Sequence, residues 1–175
     1  MVTDTRVTAP TATHDWSSDT SAIYAEGLLA GLLGALTIAA WFLLLDSLRG
    51  RPLYTPMVLG TMLFGDGASL ADPTALPIDF ERVASFTWIH LLAFLVLGVI
   101  AARLVAVAER DSNYGFGVVL LFVVFEFGIV VACMIFAEPV LSAIAWPSML
   151  VGNLLAAAVM AGVFWRRHPQ LRISP

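Results

Sequence analysis

Residues 23–48 read IYAEGLLAGLLGALTIAAWFLLLDSL, and this run decides the class of fold. An α-helix rises about 1.5 Å per residue, so about 20 apolar residues cross the roughly 30 Å hydrocarbon layer of a membrane. The run is long enough to span with tilt. Gly27, Ala30, Gly31, Gly34 and Ala35 recur at three- and four-residue spacings, which puts small side chains on one face where another backbone can approach closely. Trp41 and Phe42 lie about one turn inside a polar end made by Asp46, Arg49 and Arg51, where interfacial aromatics settle.

Working outward, three more apolar runs follow. The second, 85–108, continues a helix that starts at the polar surface, with Asp79 as N-cap ahead of Phe80, Glu81 and Arg82. The third, 116–137, comes after the short polar link 109–113 and is stopped by Glu138 and Pro139, so the second and third runs form an antiparallel hairpin. The fourth, 146–165, accepts Pro147 in its first turn, contains Asn153, and closes at Arg166, Arg167, His168 and Pro169. Gly152, Ala156, Ala157, Ala158, Ala161 and Gly162 give it a second set of small residues.

The pattern predicts an all-α integral membrane protein, an antiparallel four-helix bundle tightened by Gly27, Gly31, Gly34, Gly152 and Ala156. Residues 1–22 read as a polar, mostly disordered tail with no cleavable signal, 23–168 as one transmembrane domain, and 169–175 as a C-terminal tail. Only the connection 49–84 is long. In it Thr55 reads as an N-cap with Pro56 at the first helical position, followed by the apolar Met57, Val58, Leu59, Met62, Leu63 and Phe64. That segment is too short to span, and predicts a short interfacial or re-entrant helix in the first extracytoplasmic loop. No internal repeat relates the two halves.

Composition agrees with a membrane class and excludes others. The 175 residues are 59% hydrophobic and 13% charged, with a mean hydropathy of +0.88, whereas a soluble domain carries about 25% charged residues. The formal charge of −4 leaves no basic footprint for nucleic acid. All nine basic residues are arginine, and the single cysteine, Cys133, lies in an apolar run and has no partner for an intramolecular disulfide. No Ser, His, Asp constellation, phosphate loop, CxxC or zinc spacing occurs, which points to a chain that is no enzyme and holds no metal or cofactor.

Even spans place both termini and the 109–113 link on one side. That side collects Arg6, Arg103, Arg110, Arg166, Arg167 and Arg172, against Arg49, Arg51 and Arg82 on the other. The positive-inside rule then makes both termini cytoplasmic, in a bacterial inner membrane.

Several residues are candidates for chemistry. Glu126 falls near the middle of the third run, where a carboxylate costs a few kcal/mol unless protonated, paired or wet. Matching depths by helical rise sets Thr37 at about its level and His90 on the order of 9 Å nearer the outer face. His90 and Asn153 share a depth, and an interhelical hydrogen bond is the plainer reading of His90. A b-type haem would need a second histidine at membrane depth, and His14 and His168 lie outside the runs. Asp46, Arg49, Arg51, Arg82 and Glu138 group at the outer end, as a polar vestibule or a ring of interfacial ion pairs.

The stretch Gly50, Arg51, Pro52, Leu53, Tyr54, Thr55, Pro56 after a Gly-rich span, the pair Gly152 and Asn153, and the ending Trp165, Arg166, Arg167, His168, Pro169 resemble a group of uncharacterised bacterial four-helix membrane proteins. The resemblance implies the architecture and supplies no reaction or substrate. The sequence is read as an accessory or assembly subunit that packs in the lipid bilayer against a larger membrane complex or as a homo-oligomer. Its alternatives are a small proton-coupled carrier using Glu126 and a haem-binding membrane subunit.

Overall fold

A computed structural model describes residues 16–65, 77–110 and 146–168. The described residues are helical and contain no strand. They form α1, Trp16–Leu48; α2, Tyr54–Phe64; α3, Phe80–Arg110; and α4, Trp146–Arg167. Three of these helices are long and apolar enough to cross a membrane, over Thr20–Leu48, Phe80–Glu109 and Pro147–Arg167. The third apolar run, with Glu126, Cys133 and Glu138, lies outside the described residues.

Helix α1 starts at Trp16 and not at residue 23. Hydropathy marks where apolar surface begins, whereas Ser17, Ser18, Asp19 and Thr20 are all compatible with solvated first turns of a helix. Its end follows backbone rules. Gly50, with φ of 73°, sits just past the last turn. There the Gly50 N–H donates to the Ser47 carbonyl at 3.0 Å and the Arg51 N–H to the Asp46 carbonyl at 2.9 Å. This is the paired closure that a left-handed residue after a helix allows. The start of α3 is fixed by Asp79, whose Oδ1 accepts from the Glu81 N–H at 2.9 Å and the Arg82 N–H at 3.4 Å.

Packing centres on α1. A Cβ at Gly27 would lie 2.6 Å from Val99 Cα and 2.8 Å from the Gly98 carbonyl oxygen, and one at Gly31 would meet the Phe94 carbonyl and Leu95 Cα. Gly98 answers from α3, where a Cβ would strike the Gly27 carbonyl and the Gly31 backbone. The two backbones are therefore in direct contact, as the small-residue spacing on α1 allows. Pairing runs from Gly27 with Gly98 to Gly31 with Phe94 and Ala35 with His90, so α3 is antiparallel to α1. Gly34 faces Met160 of α4, and Gly152 faces Ile38 and Trp41, so α4 is antiparallel to α1 as well. The last residue of α3 and the first of α4 consequently lie at opposite ends.

The buried core is small and divided. Ile38, Phe42, Tyr54, Val58 and Ala156 cluster at the α2 end, and Ala30, Ala102 and Phe164 at the other. Leu36, Leu44, Trp88, Leu92, Val96 and Leu154 point outward and are largely exposed, as apolar side chains facing hydrocarbon would be.

Candidate functional site

Polar side chains gather at three levels of this fold. At the α2 end, α2 is capped across space. Its residue at the N-cap position, Leu53, has φ of 68° and gives no side-chain cap. The Asp46 carboxylate of α1 accepts instead from the Thr55 N–H at 2.7 Å and the Thr55 hydroxyl at 2.9 Å. Thr55 is therefore inside the helix as a donor to a cap, which corrects the N-cap expected there. A helix N-terminus has unsatisfied N–H groups and partial positive charge, so an anion delivered by another helix satisfies both.

The same end holds the residues expected to line a vestibule. Asp46 is 0% exposed, closed in by the α2 cap and not open to a mouth. Arg51 lies over the Tyr54 ring with its guanidinium carbon 4.3 Å from the centroid. Arg82 donates to Thr61 Oγ1 at 3.2 Å and pairs with Asp79 at 3.3 Å, while the Thr61 hydroxyl donates to the Met57 carbonyl at 2.9 Å. Gly60 lets α2 lie on the Arg82 backbone. Arg49 is exposed, and Glu138 lies outside the described residues.

In the middle, His90 Nε2 is 3.3 Å from the Ala35 carbonyl oxygen of α1. A carbonyl only accepts, so this contact calls for the Nε2–H tautomer. Its ring stacks on Phe86 at 5.8 Å and tilts against Phe94 at 4.8 Å. Thr37 donates to the Leu33 carbonyl of its own helix at 2.7 Å, so its hydroxyl is used within α1. Trp41 donates from its indole to the Ser148 carbonyl of α4 at 2.9 Å, and Gly152 provides the space that admits the ring. Asn153 follows Gly152 on α4 and is half-buried. Glu126, the fourth member of the expected intramembrane group, lies outside the described residues.

The third level was not anticipated from the residue pattern. Beyond the last turn of α4, His168 Nδ1 is 2.6 Å from Glu109 Oε1 of α3, and Nε2 is 3.0 Å from Glu26 Oε2 of α1. Nearby, Arg103 donates to the Tyr24 hydroxyl and lies over its ring, 4.6 Å from the centroid. Burial is the largest single influence on His168 and lowers its pKa, but hydrogen bonds to Glu26 and Glu109 and their charges together outweigh it and raise the pKa above 6.5. The available signal was topological: the four spans expected from the sequence place positions 26, 109 and 168 at one end, and the antiparallel course of α3 and α4 against α1 brings them together.

Chemically, these groups tie helices together. Among the described residues no three His, Cys, Asp or Glu side chains converge on a metal position. No family model, curated protein or solved structure matches the chain.

Proposed function

We propose that the chain is a multi-pass, non-enzymatic protein of the bacterial cytoplasmic membrane that acts by packing, as an accessory or assembly subunit of a larger membrane complex or of its own oligomer. In this reading 116–137 supplies a fourth crossing and completes an antiparallel four-helix bundle with both termini cytoplasmic. Support for the crossing comes from α3 and α4, which run in the same direction, so the chain has to return through the membrane between them.

One observation carries the packing role. Gly27, Gly31, Gly34, Gly98 and Gly152 are all used at internal helix contacts, whereas a Cβ at Gly162 would meet nothing within 4 Å among the described residues. Ala158 and Ala161 are exposed beside it on α4. Small residues at a helix surface suit a close-packed neighbouring helix better than lipid.

Gly162→Leu tests this. In mild detergent, light scattering on the parent should give a protein mass well above the 18.8 kDa of one chain, and Gly162→Leu should reduce it while leaving thermal unfolding unchanged. A parent that runs as a single chain, with no other protein copurifying, contradicts the proposal. A variant that loses thermal stability assigns the Gly162 face to the chain's own 116–137 run.

A second reading, a proton-coupled carrier using Glu126, gains weight from Glu26, a second carboxylate within an apolar helix and only 6% exposed. It predicts pH-driven flux in reconstituted vesicles that Glu126→Gln abolishes, because Gln keeps the shape but cannot alternate protonation.

A further inference from the structure

An ionised carboxylate only accepts hydrogen bonds, and a neutral imidazole has one N–H to give. Around His168 both ring nitrogens face carboxylate oxygens, Glu109 at 2.6 Å and Glu26 at 3.0 Å. With both carboxylates ionised and the imidazole neutral, one of these contacts would oppose two lone pairs. Both bonds form only when the group holds one more proton, on the ring or on a carboxyl.

Glu26 adds an independent observation. It is nine-tenths buried, and its Oε1 has no hydrogen-bond partner among the described residues. Buried polar groups need hydrogen-bond partners, so the His168 Nε2 contact is what satisfies Glu26 among the described residues.

We propose that Glu26, His168 and Glu109 form a proton-binding site, and that its proton clasps the end of α4 to both α1 and α3. Once the proton leaves, the neutral ring can donate to only one carboxylate, and one of the two helix contacts opens. Glu26 and Glu109 meet different nitrogens of the ring, and among the described residues no three such side chains converge on one point, so the ligand proposed here is a proton. Among the described residues, the other charged and titratable groups at this end are Tyr24 of α1, Arg103 of α3, bonded to that phenol, and Arg166 and Arg167 in the last turn of α4. The site lies within one chain and does not depend on the packing role proposed above.

The test is an NMR titration of histidine-labelled protein in detergent micelles. Of the three histidines, the His168 signal is the one lost in His168→Gln. Its midpoint should lie above 6.5, with both ring nitrogens protonated below it, and should fall in Glu26→Gln and in Glu109→Gln. Glu109 is partly exposed, so its variant folds even if Glu26→Gln does not. Tryptic cleavage after Arg167 should accelerate several-fold in the parent as pH is raised through that midpoint, relative to His168→Gln. A midpoint at or below 6.5, a midpoint that Glu109→Gln leaves in place, or identical cleavage profiles would overturn the proposal.

Discussion

Asp46 shows how a single side chain can organise two helices. It belongs to the last turn of α1, closes that helix through its carbonyl, and opens α2 through its carboxylate. Asp46→Ala would leave the Thr55 N–H and hydroxyl without their acceptor in a buried place. It should cost about 1–3 kcal/mol of stability, read by thermal unfolding in detergent. Asp46→Asn keeps one acceptor oxygen and should cost less. Equal losses in the two variants would mean that charge, and not hydrogen bonding, holds α2 in place. His168 gives a second residue-level prediction, and its sign follows from linkage. Its folded pKa is raised above 6.5, so the folded state binds the proton more tightly than the unfolded chain. The stabilisation is full below about pH 6.5 and is lost as pH rises through the folded value. Thermal unfolding should therefore separate the parent from His168→Gln most near pH 6 and least near pH 9. A gap that widens with pH would reverse the assignment.

Among the elements, the contact of α1 with α3 and that of α1 with α4 use glycine differently. Gly31 lies against the backbone of Phe94 and Leu95, which cannot yield without separating the helices. A Cβ at Gly34 would lie 2.8 Å from the Met160 thioether and 2.9 Å from the Phe94 ring, side-chain atoms that can move. Gly31→Ala should cost about 1–3 kcal/mol and Gly34→Ala clearly less. Leu36→Ala, at a position 55% exposed, serves as the control with little change. If Gly34→Ala proves the worse of the pair, the α1 to α3 approach is looser than described. The spacing of these glycines was legible in the sequence, because helical periodicity alone puts them on one face. Their partners were not, because Gly98 stands alone in its run and only the fold brings it to Gly27 and Gly31. The Asp79 cap was legible for the same local reason, being two residues from the N–H it accepts. The α2 cap was misread because its acceptor comes from another helix. Likewise Glu26, Glu109 and His168 each look like an ordinary polar residue near a span end, and their meeting is a property of topology.

For the whole molecule, the apolar lengths of three helices establish a chain suited to a membrane, and the direction of α4 carries the argument further. With α3 and α4 both antiparallel to α1, no short hairpin can join α3 to α4, and in the proposed bundle the apolar run 116–137 makes the return. The proposed orientation rests on the arginines: Arg103, Arg166 and Arg167 lie toward the His168 end, and Arg49, Arg51 and Arg82 toward the α2 end. Scanning for impermeant thiol labelling in intact cells, on a Cys133→Ser background, tests crossing number and orientation together. Cysteines at Ser18 and Ser112 should be protected, while those at Ser69 and Ser142 should react. Reaction or protection of 112 and 142 alike would place the two positions on one side of the membrane and contradict the four-helix account.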